Sequence, residues 1–157
     1  MEMLVVLVIS ALTIAISYTV LNIIGKGIVN HKYYLDQFTN YSIMYKVMHH
    51  DVFKAQEIKK EKDGFSVIND NNKIFYEINK EYIVRKSSSL DTFKINTNSV
   101  LLLYDTITVN NDNEIINKVL IDVALLKSIS CPIVLYKYYD AKKRIENDSV
   151  YVLKYGY

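Results

Sequence analysis

The sequence predicts an α+β fold: a long N-terminal helix, transmembrane in its first half and amphipathic in its second, packed on an antiparallel β-sheet. Three observations carry this. No charged residue stands between Glu2 and Lys26, and most residues from Met3 to Gly25 are Leu, Val, Ile or Ala. Beyond that run, apolar residues keep a helical period. From Gly64 onward the chain breaks into short runs rich in Ile, Val, Tyr and Phe, separated by turn residues. A helix with an apolar stripe and a sheet with an apolar face each need cover, and here each is the other's largest partner.

The charge-free run comes first. At about 1.5 Å of rise per residue it measures roughly 35 Å, enough to cross a bilayer's hydrocarbon layer with some tilt. Its few polar residues, Ser10, Thr13, Ser17 and Thr19, can return their hydroxyl bonds to the carbonyl one turn back. A cleaved secretory signal is the alternative, but that has a shorter apolar stretch, basic residues before it and a small-residue cleavage site after it. None of these is visible, so residues 1–25 are expected to be a retained transmembrane helix. Lys26, His31 and Lys32 follow the span and no basic residue precedes it, so charge alone places the remainder in the cytoplasm.

Residues 26–157 are expected to form a globular domain, with the amphipathic helix over about 28–59 and the sheet over about 64–155. Tyr34, Phe38, Tyr41, Tyr45, Met48, Val52 and Ala55 recur at alternating steps of four and three, which makes them the expected packing face. Asp36, Asn40, Lys46, His50 and Lys54 lie opposite. Gly25 and Gly27 each cost about 1 kcal/mol against alanine inside a helix, so a bend or a locally melted turn is expected there. In the second half, FSVI, KIFYEI, EYIVRK, DTFKI, SVLLLYDTITV, EIINKVLIDVALL and CPIVLYKYY fit strands. NDNN, SSS and NNDN between them fit tight turns, so an antiparallel meander is predicted.

Composition excludes more than it assigns. The 157 residues suffice for one domain with a real core, and 19 basic against 17 acidic residues leave a balance of +2, so no nucleic acid partner is expected. Cys131 is the only cysteine, which rules out an intramolecular disulfide and a thiolate metal cluster. Its default reading is a buried structural thiol. His49 and His50 point about 100° apart on a helix, so with Asp51 they make a poor metal site. Asp105, Asp112 and Asp122 suggest a calcium loop less well than NNDNE suggests a hairpin turn. Lys142, Lys143 and Arg144 sit in DAKKRIEND, read as a solvated turn. No phosphate loop, nucleophile elbow or paired-carboxylate pattern appears, so neither an enzyme, a metal nor a cofactor is expected.

EMLVVLVISALTIAISYTVL (Glu2 to Leu21) resembles the N-terminal helix of type IV pilins and type II secretion pseudopilins, where a glutamate begins a long run of Leu, Val, Ile and Ala. SIMYKVMHHDVFKAQEI (Ser42 to Ile58), with Asp51 and Ala55 one turn apart, is similar to the minor pseudopilin J group and its competence-pilus relatives. The chain departs from many pilins in having no helix-kinking proline in the span and no disulfide-closed C-terminal loop. In that family the glutamate is the fifth residue of the mature chain, after a phenylalanine that a prepilin peptidase exposes and methylates. That cleavage site is therefore expected upstream of Met1.

The resemblance implies a minor pilin or pseudopilin, a structural subunit of a type IV pilus-like or secretion pseudopilus fibre that acts in tip formation and in starting assembly. It implies a single pass through the inner membrane with the globular domain outside the cytoplasm, against the charge rule above. The implied partners are other pilin or pseudopilin subunits, the inner-membrane assembly platform, the prepilin peptidase and membrane lipid. Glu2 becomes the assembly residue. A carboxylate in hydrocarbon costs roughly 2.5–3.5 kcal/mol, so one is kept where a partner neutralises it. The implied partner is the α-amine of a neighbouring subunit, and such a buried pair fixes axial register more than it adds stability. The other reading, from a different class, is a single-pass anchored binding module that forms no filament.

Overall fold

The computed structural model describes residues 2–70, 72–126 and 129–155. It is an α+β fold with a long apolar N-terminal helix and antiparallel β-sheets. Helix α1 spans Glu2–Lys54. Backbone contacts divide the chain into two compact units, Met1–Asp36 and Gln37–Tyr157.

The first unit is helix alone. Its hydroxyls fold back as expected: Ser10 donates to the Val6 carbonyl at 2.7 Å, Thr13 to Ile9 at 2.8 Å, Ser17 to Thr13 at 2.8 Å and Thr19 to Ala15 at 2.9 Å. No turn is melted at Gly25 or Gly27, where helical structure is continuous. Neither glycine has a neighbour that a side chain would meet.

The second unit begins with the remainder of α1 and continues into two sheets. Strands β1 (Glu57–Glu61), β2 (Gly64–Ile68), β3 (Lys73–Ile78), β4 (Ile83–Lys86) and β5 (Leu90–Phe93) form a five-stranded antiparallel meander in chain order. Strands β6 (Asn96–Tyr104), β7 (Ile107–Thr108), β8 (Lys118–Leu126) and β9 (Ile129–Tyr136) form a second antiparallel sheet in the order β7-β6-β8-β9. Helix α2 (Ala141–Tyr155) closes the described chain.

Turn chemistry explains the breaks. Asn69 N–H donates to the Asn72 carbonyl at 2.9 Å between β2 and β3, and Ser87 N–H to the Ser89 carbonyl at 2.9 Å between β4 and β5. Gly64 opens β2 at φ 157°, and a Cβ there would lie 1.9 Å from the Tyr76 carbonyl oxygen. Only glycine allows β2 and β3 to pair so closely at that point.

Four expectations are corrected. The amphipathic helix ends at Lys54, not near 59, and Glu57–Glu61 is a strand whose Ile58 is buried. The single meander is two sheets. SVLLLYDTITV is not one strand, because Asp105 adopts φ 53°, a left-handed conformation that an aspartate tolerates, and the chain turns back there into β7. DAKKRIEND is not a turn and the sheet does not reach 155. Asp140 caps α2 instead, its carboxylate accepting from Lys143 N–H at 2.8 Å.

NNDN is also more than a hairpin turn. The stretch Asn113–Ile116 runs along β1: Lys60 N–H donates to the Glu114 carbonyl at 2.8 Å, Asn113 N–H to Lys60 at 2.8 Å and Ile116 N–H to Ile58 at 2.9 Å. Tyr139 secures the same seam, its hydroxyl accepting from Ile58 N–H at 3.1 Å and donating to the Ile116 carbonyl at 2.7 Å. These bonds satisfy an edge that would otherwise be open and join the two sheets. One continuous core results. It holds Met44, Met48 and Val52 from α1, Phe65, Val67, Tyr76 and Ile83 from the first sheet, and Val119, Ile121, Ile133 and Leu135 from the second.

Candidate functional site

Glu2 is the first described residue of α1 and lies in its first turn, where a carboxylate faces the positive end of the helix dipole. After it the helix is apolar and exposed on every side, from Met3 to Ile24. The helix is long and apolar enough to cross a membrane, with a mean hydropathy of 2.5 in its most apolar window and none of that window buried. Such a surface carries a hydrophobic cost in water, removed by lipid or by other apolar helices.

The expected packing face is divided, with Tyr34 in the first unit and its other six residues in the second. Met48, Val52 and Ala55 are buried and Tyr41 is partly buried against the core. Tyr34 and Phe38 are exposed, and Tyr45 is 38% exposed. Tyr45 stacks on Tyr41 at 6.4 Å and touches His49 at 5.9 Å, on the flank of the helix. The buried face is Met44, Met48, Asp51, Val52 and Ala55, turned from the expected line toward Met44 and Asp51. Met44 is fully buried and had no place in the steps of four and three.

The rotation is fixed by a polar group. Asp51 is buried, and its Oδ2 accepts from Arg85 Nε at 2.7 Å and from the Tyr76 hydroxyl at 2.6 Å. Arg85 Nη2 approaches Oδ1 at 3.4 Å, while its Nη1 donates to Ser87 at 2.9 Å and to Asp91 at 3.1 Å. Burial first, and then the bond to Asp51, push the Tyr76 hydroxyl far above its ordinary value. The bond to Asp51 raises Arg85 as well. The network thus holds a permanent cation against a buried acceptor, with a phenol that stays protonated. It is a clamp between α1 and the first sheet.

The other singled-out residues are engaged separately. His49 and His50 are exposed. Asp105 accepts from Asn117 at 2.6 Å and faces Arg144 at 3.5 Å, Asp112 pairs with Lys60 at 2.8 Å, and Asp122 accepts from Asn98 at 3.0 Å and from Ser130. Among the described residues no three His, Cys, Asp or Glu side chains are grouped to hold a metal. Cys131 is a free, half-buried thiol rather than a fully buried one. Lys143 pairs with Glu57 at 2.5 Å, so the basic cluster helps dock α2 on β1.

Sequence reasoning missed the Asp51 clamp as a clamp. Asp51 stands as a carboxylate between apolar residues of a helix, and Arg85 beside Lys86 in IVRK, but nothing local pairs Asp51 with Arg85. Compared with protein-family models, curated proteins and solved structures, the chain matches none.

Proposed function

We propose that this protein is a structural subunit of a pilus-like fibre, a minor pilin or pseudopilin that is held in the membrane by α1 and helps begin assembly. The observation that carries the reading is Glu2 at the start of an apolar helix surface with no burial of its own. A lone carboxylate bordering such a surface is costly in lipid and profitable only where an opposite charge meets it. Helices packed side by side with that pair at one level would share a common register. The exposed aromatics Phe38 and Tyr45 extend the surface available to neighbouring helices within the second unit. The resemblance of Glu2 to Leu21 to pilin helices supports the same reading, with the inner membrane as the site of insertion and sibling subunits as partners.

The test is recovery of tagged full-length chain from its native membranes, with Glu2→Ala beside the unaltered protein. The unaltered chain is expected to bring down small proteins that share its N-terminal pattern, and Glu2→Ala to lose them while still inserting and folding. Equal recovery from both would remove the role given to Glu2.

A further inference from the structure

A groove of about 390 Å³ lies where the second sheet meets the first turns of α2. Four of the chain's tyrosines line it, and two of them face solvent in an unusual way. Tyr136, at the end of β9, is 50% exposed, and Tyr138, two residues on, is 87% exposed. Their rings lie 6.4 Å apart with 22° between their planes, a stacked pair of exposed aromatic side chains. Exposed tyrosine is an amphipathic contact surface with few torsions to freeze, which is why binding surfaces are rich in it.

The polar groups around the pair are of both kinds. Lys118, opposite Tyr136 in the ladder, holds its ammonium 5.0 Å from that ring's centre. The Lys137 ammonium donates to the Phe53 carbonyl at 3.4 Å, and its backbone N–H to the Asn117 carbonyl at 2.8 Å. Neither lysine has a carboxylate within ion-pair distance among the described residues. Burial first, and then the neighbouring Lys143, hold Lys137 below its ordinary value. Arg144 is held loosely, 3.5 Å from Asp105 and 4.0 Å from Asp148. Against these cations stand acceptors: the Asp105 carboxylate, the Thr106 hydroxyl and the Asn117 amide.

We propose that this groove binds a carboxylate-bearing oligosaccharide, with sugar rings laid on Tyr136 and Tyr138 and uronate groups met by Lys118 and Lys137. A sugar hydroxyl donates and accepts at once, and so suits a wall that mixes Asp105, Asn117 and Thr106 with Arg144. The apolar C–H face of a pyranose suits the face of an exposed tyrosine ring. Two cations lacking carboxylate partners suit an acidic sugar over a neutral one. A nucleic acid strand fits less well, because Asp105 would stand among its phosphates and two lysines make a short electrostatic track. The site is independent of Glu2 and of any fibre.

The experiment is calorimetric titration of the full chain in detergent micelles with tetragalacturonate, with cellotetraose as the neutral sugar and a short oligothymidine as the strand. Saturable binding of tetragalacturonate, tighter than of cellotetraose, is expected. Tyr138→Ala, at a solvent-facing ring, is expected to weaken it about three- to tenfold. Lys118→Gln is expected to erase the preference for the acidic sugar while sparing the neutral one. Absence of saccharide binding, binding indifferent to Tyr138→Ala, or binding of the oligothymidine alone would each overturn the proposal.

Discussion

Asp51 Oδ2 and Arg85 Nε meet at 2.7 Å with side chains only 8% and 16% exposed, joining α1 to β4 across the core. Removing one partner strands the other in a poorly solvated place. Asp51→Ala is expected to destabilise the second unit by about 3–5 kcal/mol. A well-packed apolar replacement of both, Asp51→Leu with Arg85→Met, is expected to recover most of that loss. Urea unfolding followed by near-ultraviolet dichroism checks both; equal losses in the single and double variants would mean the pair does not act as a unit.

Gly64 is expected to be irreplaceable. Its φ of 157° and a Cβ position 1.9 Å from the Tyr76 carbonyl leave no room for alanine. Gly64→Ala should cost about 2–4 kcal/mol. The control is Gly25→Ala, where nothing lies within 4 Å and where a better helix former should leave the unfolding of the second unit unchanged. Calorimetry on both variants decides the point.

Tyr151 fastens α2. Its ring lies 4.3 Å from that of Tyr104 at 4° between planes, and its hydroxyl donates to the Ile115 carbonyl at 2.5 Å. Tyr151→Phe keeps the stack and is expected to lose about 1 kcal/mol, whereas Tyr151→Ala should lose about 3–5 kcal/mol. Release of α2 should then unwind the backbone at Lys142, Lys143 and Arg144 and open these bonds to trypsin. Cleavage rates that do not separate Ala from Phe would contradict this role.

Acid sensitivity should come from β1. The Lys143 partner, with Lys59 assisting against burial, holds Glu57 below its ordinary 4.5, and Lys73 does the same for Glu61. Groups whose pKa falls on folding bind fewer protons in the folded state. Their contribution is complete above about pH 4.5 and is lost as pH falls through the lowered folded values. Melting temperature should therefore hold level from neutrality to about pH 5 and drop below it. Lys143→Gln, which removes the largest cause at Glu57, should make the acid drop shallower, and an unchanged slope would discount the pair.

The Asp51 clamp shows where reading the residues in order fails. Apolar periodicity located a buried stripe correctly at Met48, Val52 and Ala55 but could not fix its rotation, since Met44 and Tyr45 are equally apolar by composition. The choice between them depends on which side faces the sheets, and the Asp51 bonds to Tyr76 and Arg85 hold that choice. In the same way, Lys142 to Asp148 read as polar surface because α2 buries only a narrow line, Asn147 and Tyr151. The Asp140 cap was present in the sequence as a signal but had no apolar stripe behind it strong enough to confirm a helix.

The sequence by itself determined the apolar span from Met3 to Gly25, the hydroxyl back-bonds within it, the α+β class and most strand cores. These follow from local hydrophobicity, from rotamer and backbone preferences, and from spacing along the chain. Tertiary structure alone decided that the strands split into two sheets, that Asn113–Ile116 seals the edge of β1, and that Tyr136 and Tyr138 line one groove with Lys118 and Arg144. Each of these joins groups far apart in sequence, and their pairing is set by which buried donors and acceptors can find partners once the core has closed.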